Sequence, residues 1–103
     1  MKLLFLGLTF FSVSNAFADM TTYTYDRDQG SVSNCYQACA KAWPPVLTTQ
    51  SLSAPLGTTT RNDGTTQVTL NGKPIYFYIG DATPADALGD GLGGVWHVTT
   101  VRF

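Results

Sequence analysis

The chain carries one pattern twice, at a fixed spacing. Tyr23-Thr24-Tyr25-Asp26-Arg27-Asp28 and Tyr76-Phe77-Tyr78-Ile79-Gly80-Asp81 both read Tyr-x-Tyr-x-x-Asp. Trp43 follows Asp28 by 15 positions, and Trp96 follows Asp81 by the same 15. Tyr23, Tyr25, Asp28 and Trp43 therefore map onto Tyr76, Tyr78, Asp81 and Trp96 at a single offset of 53, without a gap. Two segments with one pattern imply two units of similar local structure. The two Tyr-x-Tyr segments are expected as strands in related places on one antiparallel sheet, each Trp closing one end of the core. Aromatics carry much of the buried area in a small domain.

The first 18 residues read as an address. Lys2 is followed by an apolar run from Leu3 to Val13 and by the small-x-small site Ala16-Phe17-Ala18. This is the form of a secretory signal peptide, too short and wrongly flanked for a transmembrane helix. Cleavage after Ala18 leaves residues 19–103 as one domain that starts at Asp19. A chain of that length has a thin core, and small secreted domains often add a covalent staple. Beyond Ala18 there are five cations against seven acids, all of them Asp, and no basic block. Nucleic acid and anionic lipid are poor partners for such a surface.

Local signals place the elements. Thr21 to Tyr25 alternates as a strand, and Ser33 or Asn34 is positioned to cap a helix from Cys35 to Ala42. Pro44-Pro45 ends that helix, because proline lacks the amide. Val46 to Leu56 reads as a polar surface loop. Strands follow at 57–61 and 66–70 around the turn Asn62-Asp63-Gly64, and Asn71-Gly72 is a strong hairpin signal. Ile75 to Ile79 is apolar on both faces, as a central strand would be. Ala82 to Gly94 is an irregular glycine-rich loop, and 95–103 is the last strand, with His97 and Trp96 on opposite faces. The expected fold is small α+β: a mostly antiparallel sheet of about five strands with one short helix, built on the internal repeat.

The chain resembles a secreted-repeat family described as predicted lipoproteins with a Yx(FWY)xxD motif. The resemblance rests on Met20-Thr21, the two motifs, Ser33-Asn34-Cys35-Tyr36, Cys39-Ala40-Lys41-Ala42-Trp43-Pro44-Pro45, Asp63-Gly64, Asn71-Gly72-Lys73-Pro74 and Gly94-Val95-Trp96-His97-Val98. It spans essentially all of residues 19–103. It implies a secreted or envelope location and a small repeat-built domain, and it implies no activity. One departure matters. A bacterial lipoprotein carries its lipid on a Cys at the first mature position, and here that position is Asp19. The expected product is a free periplasmic or secreted protein, without a lipid anchor or a transmembrane segment.

Three residues offer chemistry beyond packing. Cys35 and Cys39 are the only cysteines, and His97 is the only histidine. Four apart on a helix, the cysteines fall within disulfide reach, and an oxidising compartment favours the bond. A loop of that length contributes roughly 2 kcal/mol in the chain-entropy model. At the same offset of 53 the second copy has Leu88 and Leu92, which suggests inward packing positions in both copies. The other reading is a copper site or thiol-redox pair, since two cysteines and one histidine form a soft S₂N set. Haem iron on His97 belongs with it, although no Cys-x-x-Cys-His attachment motif occurs. Asp28 and Asp81 read as turn formers whose carboxylates accept backbone amides. Asp86 and Asp90 lie in a solvated loop without calcium-loop spacing. With one His and no Glu, no hydrolase constellation is present, and no catalytic residue is assigned. The expected role is a non-catalytic binding or interaction domain, with an unknown protein or small ligand of the cell envelope as partner. A copper- or thiol-redox envelope protein using Cys35, Cys39 and His97, and a structural envelope protein, are the alternatives.

Overall fold

The computed structural model describes residues 19–99. The expected signal segment, residues 1–18, and residues 100–103 of the expected last strand lie outside the described residues. The elements are β1 (Thr22–Tyr25), α1 (Ala38–Ala42), β2 (Leu56–Thr60), β3 (Thr66–Leu70), β4 (Lys73–Pro74) and β5 (Trp96–Thr99). A short 3₁₀ turn at Leu92–Gly94 precedes β5. The fold is small α+β with five antiparallel strands in two sheets, β1-β5 and β2-β3-β4.

Strand β1 faces β5 in the register Tyr23↔Val98 and Tyr25↔Trp96. On its other side Tyr23 exchanges two backbone hydrogen bonds with Tyr76, at 2.8 and 2.9 Å. The first residue of one motif thus pairs with the first residue of the other. Tyr76 bridges Pro45 as well, and Leu47 bridges Gln67, so isolated bridges join the two sheets. The segment 75–77 is central, as its sequence suggests: Ile75, Tyr76 and Phe77 are all buried. It does not become a regular strand. Its neighbours are Pro44 and Pro45: the Pro44 carbonyl accepts Phe77 N–H, but neither proline has an N–H to return, so the ladder breaks. Ile79 turns outward and is exposed.

Three further expectations are corrected. The helix covers only Ala38–Ala42, and Ser33 and Asn34 do not cap it; Gln37 precedes it at φ 55° with no side-chain cap. The Ser33 hydroxyl is drawn instead to Tyr76 and Arg61, and the Asn34 amide donates to the Arg27 carbonyl. Residues 46–48 are not surface loop, because Val46 and Thr48 are buried. Val46 N–H donates to Ile75, Ile75 N–H to Val68, and Val68 N–H to Val46, a closed ring of three backbone bonds. Around it packs one core of Val46, Val68, Ile75 and Phe77. The Asn71-Gly72 turn forms as expected, with φ of 52° and 81°.

The second core is aromatic: Tyr23, Cys35, Trp43, Tyr76 and Trp96. The two Trp rings do not close opposite ends of it. They stack face to face at 3.8 Å with 3° between planes, both nearly buried.

Candidate functional site

The motif residues gather around that Trp pair, and the two copies stand in matching relations. Tyr25 stacks on Trp96 at 4.1 Å, and its counterpart Tyr78 lies over Trp43 at 4.4 Å. Tyr23 meets Trp43 edge-on at 5.2 Å, and Tyr76 meets Trp96 edge-on at 5.3 Å. The backbone repeats the relation: Asp26 N–H donates to Val95, and Ile79 N–H donates to Ala42. Every one of these pairs maps onto its partner at the offset of 53. The repeat in the sequence is an approximate two-fold axis through the Trp stack.

The polar atoms cross that axis. The Tyr23 hydroxyl donates to Asp81 Oδ2 at 2.7 Å, and the Tyr76 hydroxyl donates to Asp28 Oδ2 at 2.8 Å. Each copy's first Tyr is held by the other copy's Asp. The second carboxylate oxygens accept backbone amides, Asp28 Oδ1 from Asn34 and Asp81 Oδ1 from Leu88. Turn formation is therefore part of what these aspartates do, and binding the opposite copy is the part their local sequence conceals. Burial lifts both phenols well above the ordinary tyrosine range, and the carboxylate each one faces adds to the shift. Burial also raises the Asp28 carboxyl above its usual value, against the Asn34 amide, the Tyr76 hydroxyl and the Arg61 charge, which favour the anion.

Arg61 is a member of this site that sequence reasoning missed. It follows the Thr run of β2, a position that looks like solvent, yet it is only 4% exposed. Its Nη1 donates to Ser33 Oγ and Gln67 Oε1, its Nη2 donates to the Cys35 carbonyl, and its guanidinium lies 4.3 Å from the Tyr36 ring centre. Tyr76 gives its single proton to Asp28, so Ser33 donates to Tyr76 across their 2.6 Å contact. One directed chain then runs Arg61, Ser33, Tyr76, Asp28, linking a buried cation to a carboxylate through two hydroxyls. No signal in the residues around Arg61 marks it for burial.

The cysteines are bonded to each other, with Cα atoms 5.2 Å apart. Cys35 is fully buried and Cys39 lies against the aromatic cluster. The equivalence with Leu88 and Leu92 does not extend to packing, since both leucines are exposed. The glycine-rich loop of the second copy is held by its own backbone turns, and it brings Gly89 onto Trp43 with the leucines pointing outward. His97 sits on β5 opposite Thr24, and its Nε2 donates to Asp26 Oδ2 at 2.7 Å on the surface. Both sulfurs of the S₂N set are thus taken by each other, and the histidine faces a carboxylate. Among the described residues no three His, Cys, Asp or Glu side chains form a group that could hold a metal. Asp86 Oδ2 accepts the Ala82 and Thr83 amides, and Asp90 Oδ1 accepts Val98 N–H, so both loop acids cap backbone. Those amides hold Asp86 below the usual carboxylate range. A hollow of about 170 Å³ lies beside Asp26, Asp28 and Lys73.

Among the described residues no helix is long and apolar enough to cross a membrane. Neither a curated protein nor a solved structure is significantly similar to the chain. The family described as a secreted repeat of unknown function matches residues 15–47 and 57–100. The two matched segments end at equivalent positions of the internal repeat, Leu47 and Thr100, and each holds one Tyr-x-Tyr-x-x-Asp motif with its Trp. The chain belongs to this secreted-repeat family, and the interlocked halves of its fold are two of the family's repeats.

Proposed function

We propose that the protein works outside the cytoplasm as a non-catalytic interaction module. It is exported on residues 1–18, released after Ala18 without lipid, and presents a surface to a protein or small ligand of the cell envelope. The first Tyr and the closing Asp of each motif support this reading by where their polar atoms go: into one another, across the axis. The observation that carries it is the contrast between copies. Ile79, Leu88 and Leu92 are 60%, 63% and 41% exposed. At the equivalent positions the first copy has Asp26, which is paired with His97 on the surface, and Cys35 and Cys39, which are joined in a disulfide. The first copy also exposes Val32 and Leu47, but at these three equivalent positions it is the second copy that leaves apolar side chains in water, where a partner would cover them.

A photoreactive residue at position 88, compared with one at the exposed Asp63, tests this in exporting cells. The reading expects a discrete crosslinked product from position 88 that is lost when Ile79→Asp is added, on a protein whose intact mass begins at Asp19. Equal, diffuse labelling from both positions, or a mass that includes an acyl group, contradicts it.

A further inference from the structure

We propose that the aromatic core is a one-electron relay, in which the two buried tyrosines act as proton-coupled oxidation sites for the Trp stack. The geometry supplies both halves of that chemistry. For the electron, Tyr25, Trp96, Trp43 and Tyr78 form an unbroken column with ring centres 4.1, 3.8 and 4.4 Å apart. Rings at such separations are in van der Waals contact, where electron transfer between them is fast. The outer members, Tyr25 and Tyr78, are partly buried and partly exposed, so the column reaches solvent at both ends. For the proton, Tyr23 and Tyr76 stand edge-on to Trp43 and Trp96, and each hydroxyl already points at a carboxylate oxygen, 2.7 Å away at Asp81 and 2.8 Å away at Asp28. Those distances are within direct proton-transfer reach.

The sequence of events balances as follows. An outer-sphere one-electron oxidant at the surface accepts an electron from the column, leaving a Trp cation radical. An electron then passes from Tyr23 to Trp43, or from Tyr76 to Trp96, and the indole is restored. In the same step the phenol proton crosses its hydrogen bond to Asp81 or Asp28. The products are a neutral tyrosyl radical and a neutral carboxylic acid, so no charge is created in the buried core. A one-electron reductant such as a thiolate or a quinol returns the electron, and the carboxyl returns the proton. The raised basicity of Asp28 favours this direction of proton movement. The phenol oxygens stay hydrogen-bonded throughout, through Gly89 N–H to Tyr23 and Ser33 to Tyr76. Two such phenols in one small domain, related by the axis, are more than packing of the aromatic rings requires.

The test uses the purified, disulfide-bonded protein and photogenerated tris(bipyridine)ruthenium(III) as the oxidant, with transient absorbance and electron paramagnetic resonance identifying the radical. The relay predicts a Trp cation radical that gives way to a tyrosyl radical, with the conversion slowed in D₂O. It predicts loss of most of the tyrosyl signal, replaced by a longer-lived Trp radical, when Asp28→Asn and Asp81→Asn are combined. Tyr36→Phe, outside the column, leaves the signal unchanged. The D₂O comparison needs no substitution, and Tyr23→Phe with Tyr76→Phe, which keeps both rings, should remove the isotope-sensitive conversion; its persistence there would assign the radical to Tyr25 or Tyr78 and overturn the proposal. A tyrosyl signal indifferent to D₂O, or one lost with Tyr36→Phe, overturns the proposal.

Discussion

Replacing Arg61 with Ala would leave Ser33, Gln67 and the Cys35 carbonyl without the donor that now serves all three, and Asp28 without its buried counter-charge. Removing one member of a buried charged network costs about 3–5 kcal/mol. Urea unfolding of Arg61→Ala should show a loss of that order, and a loss below about 1 kcal/mol would mean the network contributes little. Tyr23 and Tyr76 carry a second residue-scale consequence. Their folded-state values lie above the ordinary phenol range, so the native state holds protons that the unfolded chain releases. Their contribution is then complete below about pH 10, the unfolded phenol value, and is lost as pH rises beyond it. Unfolding free energies measured from about pH 8 to pH 11 should fall, and Tyr23→Phe with Tyr76→Phe should flatten the fall. A parent profile as flat as the variant's would contradict the assignment.

At the scale of elements, the glycine-rich loop of the second copy has one position that admits no side chain. A Cβ on Gly89 would lie 2.5 Å from the Trp43 ring, and Trp43 is pinned between Trp96 and Tyr78. Gly89→Ala should therefore cost about 1–3 kcal/mol, in the manner of an overpacked core, with the loss visible in near-ultraviolet circular dichroism of the Trp pair. Unchanged stability would show that the loop is free to move away. The elements also show what the residues made legible. Strands β1, β3 and β5, the Asn71-Gly72 turn and the stop at Trp43 follow local rules of alternation, turn chemistry and proline. The 75–79 segment was legible as central but not as broken, because the break lies in its neighbours Pro44 and Pro45, distant in sequence. The burial of Val46 and Arg61 was not legible, since each depends on which segments the chain folds across it. Leu88 and Leu92 misled because equivalence at the offset of 53 holds for the motif and not for the connecting loops.

At the scale of the whole molecule, two copies of the motif unit join about the Trp43–Trp96 stack, with the β2-β3-β4 sheet beside them, and the defining feature is exchange: each first Tyr is satisfied by the other copy's Asp. The offset made the two units visible, but it is silent on whether Tyr23 meets Asp28 or Asp81, since both arrangements satisfy the same pattern. Double-mutant cycles on equilibrium unfolding separate them directly. With Tyr→Phe and Asp→Asn substitutions, the pairs Tyr23–Asp81 and Tyr76–Asp28 should each show a coupling of about 1.5–3 kcal/mol, the range of a hydrogen bond to a charged group. The pairs within a copy, Tyr23–Asp28 and Tyr76–Asp81, should show about zero, within roughly 0.3–0.5 kcal/mol. Coupling within the copies and none between them would contradict the exchanged arrangement and, with it, the interlocked fold.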